Sequence, residues 1–117
     1  LNFGHTLGHA IEKEMNFSLY HGECVVLGMI AALNICVELG TITGEERDDA
    51  LNTFALYEFP DHVTGIKIDD VVAVSKNDKK MDAGKVKFIL LKSVGDAYID
   101  RDITDDQMRR ALEGVIR

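Results

Sequence analysis

Three of the four histidines in this chain fall within its first 21 residues. His5 and His9 stand four residues apart in LNFGHTLGHAIE, each preceded by a glycine, and His21 follows in YHGE. Read as a helix over 1–15 at about 100° per residue, the segment puts Phe3, Leu7, Ile11 and Met15 on one apolar stripe. Asn2, His5, His9 and Glu12 then share the roughly opposite side. Side chains four apart on a helix are neighbours, about 5–6 Å apart at Cβ. Two imidazoles held that way can meet one metal ion, or one metal and one bound anion. Neutral imidazole nitrogen is a good ligand for zinc and similar divalent cations. The bland alternative is a helix face that is merely wet, and two features speak against it. Gly4 and Gly8 each cost about 1 kcal/mol in a helix interior relative to Ala, an expense that close approach of another backbone or a ligand explains. His21 is placed at the start of the next helix, where the chain can turn back on the first.

The elements that must position these groups follow in order. Asn16, Ser18 and Tyr20 break the first helical pattern. Gly22 and Glu23 open a second helix, with Glu23 suited to its positive end. Residues 24–37 carry no charge. The run is shorter than the ~20 residues a bilayer needs, so it reads as the central core helix. Gly28 is suited to close helix packing, and Gly40 to a C-terminal stop. Thr43 and Glu46 form a capping box for a third helix, with Ala50, Leu51, Phe54, Ala55 and Phe59 at apolar steps and Pro60 as its end. A short helix over 70–77 turns Val71, Val72 and Val74 inward. Strands over 86–91 and 97–100 form a hairpin about Gly95. Thr104 caps a last helix, with Asp105 and Asp106 in its first turn and Met108, Ala111, Leu112 and Val115 facing the core. The expected fold is mainly α: one helical bundle domain over 1–117 with a single small antiparallel β-hairpin.

Composition bounds the function. A chain of 117 residues, 46% hydrophobic and 28% charged, suits one globular domain. Its net charge of −7 argues against nucleic acid or an anionic membrane as partner. Lys79, Lys80, Lys85, Lys87 and Lys92 are its basic cluster. Such lysines either guard a hairpin edge against further pairing or hold an anionic substrate. Cys24 and Cys36, about 18 Å apart on one helix, are too far apart for a disulfide and read as buried free thiols of a cytoplasmic protein. His62, alone in a loop, is read as solvated. No charged-then-apolar leader is present, and a start at Leu within a helix-forming motif suggests a piece of a longer protein.

LNFGHTLGHAIE, then HGE and a long apolar helix, then DKKMDAGKVKFILLKSVGDAYI, resembles the C-terminal domain of 3-dehydroquinate synthase across nearly the whole chain. The resemblance implies that His5 and His21 ligate a divalent metal, zinc or cobalt, together with a glutamate upstream of this segment. It implies that His9 contacts substrate beside the metal, whereas spacing alone makes His9 the second ligand. It matches Asn2 to a substrate-binding asparagine. It matches Lys87, with Lys92 and Lys80 as rivals, to a substrate-binding lysine. The activity implied is conversion of 3-deoxy-D-arabino-heptulosonate 7-phosphate to 3-dehydroquinate and phosphate in the shikimate pathway. NAD would be bound by a missing N-terminal domain, since no residue here reads as cofactor-binding, and the full-length enzyme would be a homodimer. The segment alone would be inactive. The alternatives are another sugar-phosphate cyclase, of inosose or valiolone synthase type, the more distant metal-dependent polyol dehydrogenases, whose histidine spacing differs, and a non-catalytic helical module.

Overall fold

The structure, a computed structural model, describes residues 3–77 and 86–117. Its elements run α1 (His5–Glu14), α2 (His21–Leu39), α3 (Gly44–Leu56), α4 (Ile68–Lys76), β1 (Phe88–Ser93), β2 (Asp96–Asp100) and α5 (Asp105–Leu112). The mainly helical fold with one antiparallel hairpin is the expected one.

α2 is the axis of the fold. It is 19 residues long and apolar enough in length and composition to cross a membrane. Packing surrounds it instead: α1, α3, α5 and β1 all lie against it. Leu27, Ala31, Ile35 and Cys36 are completely or almost completely buried at its centre. Gly40 ends it at φ 78°, and the Gly40 and Thr41 N–H groups return to Val37 O and Cys36 O. α1 adds Leu7 and Ile11 to the core, α4 adds Val71 and Val72, and α5 adds Met108 and Leu112. Thr104 and Gln107 close a capping box at α5. The strands pair Phe88 with Asp100 through Leu91 with Ala97, and the register slips once between Leu91 and Ser93. Val86, Phe88 and Leu90 point into the core in the alternation a half-buried strand requires.

Several boundaries differ from the sequence expectation. The first helix begins at His5, because Gly4 adopts φ 81° and cannot continue it backwards. α3 has its capping box at Thr43 and Glu46 but stops at Leu56, short of Pro60. There Glu58 takes φ 62°, and the Phe59 N–H returns to Phe54 O. No α3 residue is fully buried, and Ala55 and Phe59, two of the residues at its apolar steps, are exposed. The segment after α3 is anchored by two bonds the sequence did not signal: Val63 N–H donates to Val115 O at 2.8 Å and Arg117 N–H to Val63 O at 2.9 Å.

Candidate metal and substrate site

The site is assembled at the α1–α2 contact, and three glycines allow that contact. A Cβ on Gly28 would fall onto Gly4 O and lie 2.5 Å from Gly8 N and 2.7 Å from Gly8 Cα. A Cβ on Gly8 would lie 2.7 Å from Cys24 O. All of these are backbone atoms, so no rotamer change relieves the clash. The helices cross backbone to backbone, which brings the imidazole-bearing ends of both within reach of each other.

The turn between the helices completes the approach. Met15 and Phe17 N–H groups bond back to Ile11 O and Glu12 O. Asn16 and Phe17 take φ 52° and 57°, two successive left-handed residues with full side chains. The chain thereby reverses within a few residues and delivers His21 as the first residue of α2. Glu23 fixes this end by accepting the Tyr20 N–H at 3.1 Å.

The rings of His5 and His21 meet edge to face, centroids 5.8 Å apart and planes at 75°. Rings bound to one tetrahedral zinc through bonds of about 2.0–2.1 Å have centres roughly 5 Å apart. The pair therefore lies within an ångström of the spacing that a shared ion needs, and its donor chemistry suits zinc. His9 is on the same face of α1, half-buried, and its Nδ1 is 3.5 Å from Glu12 Oε1. The other oxygen, Glu12 Oε2, is 3.0 Å from His21 Nδ1. One carboxylate thus lies between imidazoles of two helices. Periodicity put Glu12 on the polar face of α1, yet it is only 8% exposed, covered by the returning start of α2. The sequence offered its signal, since His9 and Glu12 are three apart on a helix, but the link to His21 depends on the turn. Among the described residues, no three His, Cys, Asp or Glu side chains converge as a complete ligand set.

The remaining candidates divide. Thr6 Oγ1 donates to Lys87 O at 2.7 Å, so the backbone just before β1 is fastened one residue from His5. Lys92 lies at the exposed far end of β1, towards the hairpin turn. Of these two lysines, Lys87 is the one whose main chain adjoins the histidine segment. Asn2, Lys79, Lys80 and Lys85 lie outside the described residues. Cys24 and Cys36 are free and buried, as expected. Burial, with the nearby Glu12 and Glu23 carboxylates, pushes the Cys24 thiol up to about 11. His62 pairs with Asp61 at 2.7 Å, remote in the chain from the histidine segment.

Comparison with known proteins places the chain in a family. Residues 1–81 match the family model described as 3-dehydroquinate synthase C-terminal. A 3-dehydroquinate synthase of Acetivibrio thermocellus is 40% identical over 113 residues, covering 96% of this chain and 31% of that protein. One from Nostoc punctiforme is 38% identical over 120 residues, covering 98% and 32%. This chain therefore spans about a third of the length of the curated relatives it matches. A solved 2-epi-5-epi-valiolone synthase from Streptomyces hygroscopicus, with NAD+ and Zn2+ bound, superposes with a TM-score of 0.85 at 24% identity, over 97% of this chain and 32% of that one. At that identity the likeness is one of fold.

Proposed function

Because the chain belongs to the 3-dehydroquinate synthase C-terminal family, we propose that it is the metal- and substrate-binding part of a two-domain 3-dehydroquinate synthase. Its substrate is 3-deoxy-D-arabino-heptulosonate 7-phosphate, and a preceding α/β domain supplies the NAD site and a third metal ligand. The observation that carries this reading is the meeting of the His5 and His21 rings at 5.8 Å across a glycine-built helix crossing.

In this reading His5 and His21 hold zinc, the metal present in the structural neighbour. When bound, zinc polarises the hydroxyl and carbonyl oxygens of the reacting sugar. His9, half-buried beside the pair, exchanges protons with substrate oxygens, a role imidazole commonly takes. Lys87 neutralises a substrate carboxylate or phosphate, a need imposed by the chain's own net charge of −7. Asn2 hydrogen-bonds substrate. The small, glycine-lined crossing keeps the two metal-binding imidazoles on rigid elements rather than on a loop.

The test is made on the complete polypeptide that carries this segment. Phosphate release from the heptulosonate phosphate is followed with NAD and zinc present, and the organic product is identified. Turnover to 3-dehydroquinate is expected, and the paired His5→Ala and His21→Ala substitutions should remove bound zinc. Unchanged zinc content in that double variant would sink the ligand assignment. A different carbocycle, formed from another heptulose phosphate, would move the protein to a neighbouring cyclase.

A further inference from the structure

We infer that Glu12 is a positioning residue: one buried carboxylate that fixes the ring orientation and tautomer of His21, so that its Nε2 faces away from the carboxylate. The inference rests on the function proposed above. Glu12 is 8% exposed, and burying a carboxylate is costly unless its oxygens are bonded. Here the two oxygens are divided between two helices. Oε2 lies 3.0 Å from His21 Nδ1, and Oε1 lies 3.5 Å from His9 Nδ1 on its own helix.

The chemistry of that arrangement is directional. An ionised carboxylate only accepts hydrogen bonds, so an imidazole nitrogen facing it carries the ring proton. In a neutral imidazole the other nitrogen then keeps its lone pair. For His21 this leaves Nε2 as the metal-binding atom. The turn at Asn16 and Phe17 sets the register, because Phe17 N–H is bonded to the Glu12 carbonyl. Carboxylates that orient ligating histidines in this way typically change metal affinity 10–100-fold when removed.

The test uses the complete polypeptide with zinc alone as the probe, measured by competition with a chromophoric chelator. Glu12→Ala is expected to weaken zinc binding about 10–100-fold. Glu12→Gln, which keeps the shape and an accepting oxygen, is expected to recover most of that loss, and Glu12→Met, which keeps the shape without the acceptor, is not, a split that a general packing role would not give. Nitrogen-15 NMR of the metal-free wild type is expected to show His21 as the Nδ1-protonated tautomer, a readout that needs no variant to fold. An Nε2-protonated His21 would overturn the inference, as would zinc affinity unchanged in Glu12→Ala. So would a Glu12→Gln loss as deep as that of His21→Ala, which would make Glu12 a ligand. Wild type that takes up no zinc overturns this inference and the function it rests on together. Wild type that binds zinc with Glu12→Ala unaffected overturns this one alone.

Discussion

Cys24 lies one turn into α2, buried, with Glu12 and Glu23 close enough to raise its thiol. In the unfolded chain the thiol loses its proton near the ordinary value of 9.0, whereas the folded chain holds it to about 11. Between those values the native state binds more protons than the unfolded state, so stability falls as pH rises. The contribution is fully present below about pH 9 and gone above about pH 11. At about 1.36 kcal/mol per unit it amounts to no more than roughly 3 kcal/mol. Burial shifts Cys36 in the same direction. Urea midpoints of the metal-free chain are therefore expected to fall between pH 9 and 11, and less steeply in Cys24→Ala. Equal slopes in the two proteins would refute the assignment. Both thiols were legible in the sequence as buried and free, because a charge-free helix around them admits little else. The carboxylate beside Cys24 was not. Helical periodicity places Glu12 on the wet side of α1, and only the reversal after Met15 covers it with α2.

At the scale of elements, glycine placement was the most readable feature. Gly4 and Gly8 signalled close approach and Gly28 signalled helix packing, and the structure joins all three in one crossing. Gly28→Ala would press a methyl group onto the α1 backbone, with no side chain able to yield. Its expected cost is at or beyond the upper end of the roughly 1–3 kcal/mol typical of overpacking. Because the helices must part, His5 and His21 should separate and zinc affinity of the complete polypeptide should fall with stability. A variant with wild-type urea midpoint and zinc affinity would show the crossing to be loose. Caps with side-chain signatures, Thr43 with Glu46 and Thr104, were also legible. The end of α3 was not, because its left-handed residue is Glu58 rather than glycine, and Pro60 offered a plausible but later stop. Glu58→Gly is expected to stabilise the chain by about 1 kcal/mol, since the backbone conformation there costs an L side chain roughly that much. A lowered melting temperature would contradict it.

At the scale of the whole molecule, the fold ties distant parts of the chain together around α2. Thr6 holds the strand that follows Lys87, and Glu12 ties α1 to the first residue of α2. The strap between α3 and α4 is held by residues 115–117, a tie with no local pattern and so invisible to a sequence reading. These connections are all internal to the chain, which argues that the segment can fold by itself. They do not complete the chemistry. In the proposed site His5 and His21 would bring two nitrogen donors, and the described residues hold no complete set of three metal-ligating side chains. Catalytic zinc sites usually take three protein ligands and leave one position open. A two-donor site leaves zinc mostly hydrated, so the chain alone should bind it at least about 100-fold more weakly than the complete polypeptide, about 2.8 kcal/mol at 1.4 kcal/mol per tenfold. Circular dichroism of the separated chain should still show a helical protein with a cooperative thermal transition, and the same sample should release no phosphate from the heptulosonate substrate when NAD and zinc are added. Turnover by that sample would place the missing donor and the cofactor site within these 117 residues and overturn the two-domain proposal.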